Sequence, residues 1–291
     1  MDNQKMELRK LRDFSENLND TFQFIKQEIK PLLTCFVAIC GVFIIASGVF
    51  SGLYQQNMIA NIMRIVKGTG KSAESINTFG FANLLLLFLG ILSYVIMQVV
   101  LAAYFKMYEQ KGKISPTIDE VWKVTTQYVV PIFFYTIVYT IITIISAFFC
   151  LIPIFYFSVV FAPFTMIYVI EDRSFTSGFN RCFALIKDNY WVSFGIYVVS
   201  YIIYGFGSIL VGSVIGSIGG LTSYFTTKDV ATTAGVVTGL LGIFTHIFYI
   251  IFFVSIALNY YNLVEQQDGD GLLKRINTLG TNEGDTTEEQ Y

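Results

Sequence analysis

The sequence predicts an all-α polytopic membrane protein: six transmembrane helices arranged as three hairpins, each preceded by an amphipathic helix at the cytoplasmic interface. Three observations carry this. The chain is 54% hydrophobic and only 14% charged, with mean hydropathy +0.59; soluble domains run near a quarter charged. Its apolar residues fall in runs long enough to cross a hydrocarbon core of roughly 30 Å, which takes about 20 helical residues. Lys and Arg are distributed very unevenly among the segments between those runs.

Inside a bilayer every backbone polar group must be paired within the protein, so each run is read as a helix. The first spans Pro31 to Leu53 and the second Phe79 to Tyr104. From Val124 to Ile170 there is no charged residue. That stretch suits two spans and a tight turn near Cys150–Pro153, with proline at a helix start. Trp191 to Ile218 makes the fifth span and Val236 to Tyr261 the sixth. About thirty mostly polar residues precede the first run, and no signal-peptide cleavage site follows it.

Six crossings bring both termini to one side. With that side cytoplasmic, the inner segments hold fifteen Lys and Arg, and the outer ones hold only Arg64, Lys67, Lys71 and Lys228. Cationic residues are retained on the cytoplasmic side, so N- and C-termini are expected inside. Tyr104, Tyr108, Trp122, Tyr128, Tyr190, Trp191, Tyr260 and Tyr261 then form an inner aromatic belt.

The segments entering spans one, three and five resemble one another without gaps. Phe14, Leu18, Phe22 and Phe24 share their spacing with Ile114, Ile118, Trp122 and Val124, and with Phe175, Phe179, Phe183 and Leu185. That rhythm marks one face of a helix. Ser15, Ser115 and Thr176 stand near plausible N-caps, with Pro116 at a first-turn position. The chain therefore divides into a single membrane domain, 1–264, of three units (12–105, 113–170 and 173–262) and an acidic tail, 265–291. Too short and too charged to span, each amphipathic helix is expected to lie in the inner headgroup region. Phe14, Leu18, Phe22, Ile118, Trp122, Phe179, Phe183 and Trp191 are its expected interfacial residues. Outside, Tyr54 to Thr78 is expected as a long loop with Met58–Val66 as a further interfacial helix. Gly219 to Gly235 is expected as a second, Gly, Ser and Thr-rich loop.

Small residues recur every four positions at the end of span five (Ser208, Gly212, Gly216, Gly220) and the start of span six (Ala231, Gly235, Gly239); Gly48 and Gly52 stand in span one. Such stripes let helix backbones approach where lipid removes the hydrophobic drive. They are expected to pack spans five and six together, or to form a homodimer seam.

From Ala162 the chain reads APFTMIYVIEDRSFTSGFNRCFALIKDNYWVSFGIYV. This resembles the membrane domain found beside bacterial glycerophosphodiester phosphodiesterases and related stand-alone six-span inner-membrane proteins. Their pattern is a proline inside a span, an acidic residue at its inner end, then a helix of the type A-L-x-x-S-x-x-L-x-x-G and an aromatic. Pro163, Glu171, Leu185 and Trp191 match; Gly178 and Phe179 stand at the helix's small residue and Leu, Cys182 replaces the Ser, and Asp188 the Gly. The resemblance implies a helix array with amphipathic inner helices in a bacterial cytoplasmic membrane. The phosphodiesterase barrel is absent, so its activity is not implied.

Elsewhere the chemistry is sparse. His246, the only histidine, falls mid-span six and is the one intramembrane ionisable candidate for a functional role; a structural hydrogen bond is the plainer expectation. One His and no paired cysteines make no zinc site, and no nucleophilic triad or cofactor motif is present. Cys35, Cys40, Cys150 and Cys182 read as small buried hydrophobes. A net charge of −2 supplies no basic field for nucleic acid. The expected function is a non-enzymatic scaffold or accessory subunit of an envelope process. Its partners are the lipid bilayer and either another membrane protein or a second copy. The alternative is a transporter or channel for a lipid or uncharged solute.

Overall fold

The computed structural model describes residues 5–68, 72–148 and 152–269. They form eight helices and no strand: α1 (Phe14–Val66), α2 (Ser72–Gln110), α3 (Ile118–Phe148), α4 (Ile152–Phe161), α5 (Phe164–Ile170), α6 (Phe175–Ile186), α7 (Tyr190–Thr227) and α8 (Val230–Asp268). Six segments are long and apolar enough to cross a membrane: α1, α2, α3, the α4–α5 pair, α7 and α8. The protein is an all-α, multi-pass membrane protein whose apolar faces meet a lipid bilayer. Cys150, Lys71 and the tail from 270 lie outside the described residues.

The expected inner helices are only partly separate. α1 begins at a capping box, in which the Asp13 carboxylate accepts from the Glu16 N–H and the Glu16 carboxylate from the Asp13 N–H. It then runs 53 residues through Pro31. The amphipathic stretch from Phe14 is thus the first part of the span itself. α3 likewise runs through Pro131. Nothing between Ile25 and Pro31 stops the helix, and membrane helices tolerate an internal proline. Only α6 stands alone, because Lys187–Asn189 turn the chain before α7. The N-caps are Asp13, Thr117 (whose N–H donates to Glu120) and Ser174, each two residues from Ser15, Ser115 and Thr176 respectively.

Interfacial placement is mixed. Phe22, Ile118, Trp122 and Trp191 are exposed, as side chains meeting lipid would be. Phe14 lies against Gly195 of α7, and Leu18 packs partly on the core. The apolar face of α6 is only partly covered by protein: Phe179 meets Tyr135, Phe161 and Phe164, while Phe183 meets Phe161 but stays exposed.

Both expected outer loops are largely helical. α1 continues through Tyr54–Val66 and closes at Gly68, in the left-handed region at φ +70°. The Gly219–Gly235 stretch is helix except for Lys228 and Asp229. Thr222, Thr226 and Thr227 return their hydroxyls to carbonyls one turn back, which satisfies them without leaving the helix. Asp229 caps α8 by accepting from the Ala231 and Thr232 N–H groups.

The glycine stripes explain why this hairpin stays helical. Gly212, Gly216 and Gly220 of α7 admit Leu241 and Val237 of α8. The α8 stripe does not face α7. A Cβ on Gly235 would stand 2.7 Å from the Gly52 carbonyl oxygen, and one on Gly239 3.0 Å from that of Gly48. Span six therefore closes on span one backbone to backbone, and α8 is the strut between α1 and α7. Ser208 and Ala231 are buried on the same seams, and Gln56 donates to the Thr232 hydroxyl at 2.9 Å across the α1–α8 end.

The core is concentrated in the half nearest the N-terminal arm. There, Val95–Phe105 of α2 and Phe253–Val264 of α8 are almost wholly buried. In the distal half Leu84, Leu87, Ile141, Ile144, Ile209 and Val214 are exposed, as lipid-facing side chains are. The arm itself straps the packed end: Met6 and Leu8 are buried, and the Arg12 N–H donates to Asn262 at 2.8 Å. The tail expected to start at 265 instead continues α8 to Asp268, with Glu265 buried, before Gly269 ends it at φ +66°.

Candidate functional site

The fourth crossing is broken. Proline has no N–H to give and its ring crowds the preceding turn, so α4 stops at Phe161 and α5 restarts at Phe164. At the break the Phe161 carbonyl accepts from the Tyr135 hydroxyl at 3.0 Å. Pro163 then opens α5 by accepting from the Ile167 N–H at 3.0 Å. The ten residues of α4 rise about 15 Å and the seven of α5 about 10 Å. The break therefore falls near the bilayer midplane, the depth at which interrupted helices frame binding sites in transporters.

Beside it lies a cavity of ≈ 120 Å³ between α2, α3, α4 and α8. Tyr94 and Gln98 come from α2, Tyr135 and Tyr139 from α3, and Tyr249 and Phe253 from α8. Each pair is four residues apart, one turn up the same helix face. That spacing was readable in the sequence; it went unread because tyrosine passes for core as easily as for lining. Gln98 accepts from the Thr165 hydroxyl at 2.6 Å, tying α2 to α5 just past the break. No charged residue lines this cavity.

Toward the arm the cavity floor is sealed by packed core and then by a polar layer. Lys106 is nearly buried and donates to the Val169 carbonyl at 2.7 Å, the Tyr128 hydroxyl at 3.0 Å and the Asp172 carboxylate at 2.8 Å. Glu28, 2% exposed, accepts from Tyr104 at 2.7 Å and Ser115 at 2.6 Å, with the Lys5 ammonium at 3.3 Å. Glu109 holds Arg9 at 2.6 Å and Tyr261 at 3.0 Å. Sequence reasoning found no buried carboxylate because Glu28 precedes the apolar run; its signal was the stripe Asn17, Thr21, Phe24, Glu28, Leu32, which is the face α1 buries. Asn17 is wholly buried, and neither amide atom has a partner.

The motif residues meet this layer. Pro163 makes the break. Glu171 caps α5 and accepts from Tyr260 at 3.1 Å, with Arg173 and Arg181 against the same carboxylate. Leu185 is buried under α6. Lys111 and the Thr117 N–H grip Glu120, so its carboxyl is lowered from an ordinary 4.5 to about 2. His246 is half-buried and its Nδ1 lies 2.6 Å from the Gly242 carbonyl of its own helix; it does not reach the cavity lining. Among the described residues no cluster of three His, Cys, Asp or Glu could hold a metal. No protein-family model, curated protein or solved structure matches the chain.

Proposed function

We propose that the protein is a non-enzymatic solute-handling protein of the bacterial cytoplasmic membrane, of the transporter or channel class, acting on an uncharged or amphiphilic molecule with both termini cytoplasmic. One observation carries this reading: a span interrupted near the midplane beside a polar-lined cavity that is sealed on the arm side. Backbone left unpaired at that depth is costly unless it is buried in protein or lines a cavity, so the break has its natural explanation as part of a site. The three-hairpin organisation fits, since repeated units often frame a central site. The Lys and Arg asymmetry supports the orientation, and the resemblance of the segment from Ala162 supports the bacterial membrane.

The test is flux across proteoliposomes over a panel of small neutral solutes and fluorescent lipids. Uptake above protein-free vesicles for at least one class is expected; no flux across the whole panel overturns the reading. A scaffold or accessory role is the second reading, favoured by the arm end, where Lys5, Arg9 and Arg181 brace elements far apart in sequence into one fixed face. Cross-linking in mild detergent that returns a stoichiometric partner on that face would install it in place of the first.

A further inference from the structure

We infer that the cavity at the broken span is a binding site for one small uncharged molecule of about phenol's size that can accept a hydrogen bond. The inference rests on the solute-handling reading and narrows it to a ligand class and a set of contacts.

Volume sets the size. The cavity measures ≈ 120 Å³, and an apolar cavity of about 150 Å³ takes a benzene ring. An acyl chain or a sugar does not fit. Charge sets the next limit. No lining residue is ionised, and Lys106 stands eight residues from Gln98 on α2, about 12 Å away along the helix. An ion entering there would lose its water with nothing to pair it, at a cost of several kcal/mol or more.

Polarity separates the ligand from a plain hydrocarbon. Tyr94, Tyr139 and Tyr249 each bring a hydroxyl that can donate to the wall of the cavity. Thr136 and Ser158, also on the wall, turn their hydrogens back to Ile132 and Phe155 of their own helices, leaving hydroxyl oxygens toward the space. The site thus presents hydroxyl donors and spare acceptors within aromatic walls. A hydroxyl on a small ring satisfies both, and a bare hydrocarbon satisfies neither. Access is provided at Tyr94, which is 36% exposed while Tyr135 and Tyr249 are buried.

The test is equilibrium binding of 4-fluorophenol to the full-length protein in detergent, followed by fluorine NMR, with 4-fluorobenzoate as the charged counterpart. Saturable binding near one per chain is expected, with no saturable binding of the benzoate. The double variant Tyr94→Phe/Tyr249→Phe removes two oxygens at nearly constant shape and should weaken binding about tenfold. Ala162→Leu, which fills the space from the break, should abolish it; circular dichroism and thermal melts check that both variants fold. Non-saturable partitioning alone, equal binding of the benzoate, or undiminished affinity in the double variant each overturns the site. Saturable binding without flux overturns transport and keeps the site. Flux of small neutral solutes unchanged in both variants keeps transport and overturns the site.

Discussion

Replacing Gly52 by alanine tests whether α1 and α8 truly close backbone to backbone. The added Cβ would stand 2.6 Å from the Gly235 carbonyl oxygen and 3.4 Å from the Gly239 Cα. Even a weak C–H···O contact needs a C···O separation of about 3.3 Å, so the overlap is roughly 0.7 Å. Its partners are main-chain atoms, which cannot swing away as a side chain would. The helices must part, and the neighbouring Gly48–Gly239 approach and the Gln56–Thr232 hydrogen bond loosen with them. Overpacking of this kind costs about 1–3 kcal/mol, offset by up to about 1 kcal/mol of alanine's better helix propensity. A net loss of about 1–2 kcal/mol follows, which at ~2–4 °C per kcal/mol lowers the melting temperature by roughly 2–8 °C. Gly205→Ala on α7 is the control, because nothing lies within 4 Å of its Cβ; it should be neutral or raise the melting temperature. The assay is thermal unfolding in a fixed detergent. Equal stability of Gly52→Ala and wild type, or equal losses at Gly52 and Gly205, would refute the packing argument.

Three further outcomes follow from the same geometry. Lys106→Met leaves the Val169 carbonyl and the Tyr128 hydroxyl without their shared donor, and should destabilise by about 1–3 kcal/mol; a Lys106→Arg variant that is equally damaged would point to size and not charge. Glu120 is held below its ordinary 4.5, at about 2, so its ionised form favours the folded α2–α3 turn. That advantage of wild type over Glu120→Gln should be full at pH 6, shrink below about pH 4.5 and vanish near pH 2; a constant difference across this range would remove the role of Lys111. Cys35, Cys40 and Cys182 are buried, so in a Cys150→Ser background a maleimide should label none of them until SDS unfolds the protein. Prompt labelling of Cys40 in the folded state would contradict the core.

Spans were legible wherever charge was absent, because burial in lipid tolerates so few ions that their spacing marks helix ends. Helix continuity was less so. Glycine and threonine at 219–235 read as a loop by propensity, and tertiary approach to α1 and α8 reversed that preference. The buried face of α1 was not legible for a related reason: Phe14, Leu18 and Phe22 mark the face expected toward lipid, and the polar face carrying Asn17, Thr21 and Glu28, which no apolar rhythm marks, turns inward. Pro163 and Glu171 were found by resemblance, but the cavity beside them required knowing which helices are neighbours. Tyr94, Tyr135 and Tyr249 lie on three separate helices, and no local pattern brings them together.

The uninterrupted course of α1 has a mechanical consequence. Its 53 residues measure about 80 Å, against roughly 40–45 Å for a bilayer with its headgroups. The strap and Glu28 grip one end of this rod while the other projects past Gln56. A stiff rod cannot absorb displacement along its length, so a shift of the arm is delivered almost undiminished to the far tip. The fourth crossing is its opposite, two short pieces joined at Ala162–Pro163, where bending is cheap. Movement applied to the strap of the N-terminal arm would thus travel the rod and the α8 strut as translation, and be spent as rotation at that joint.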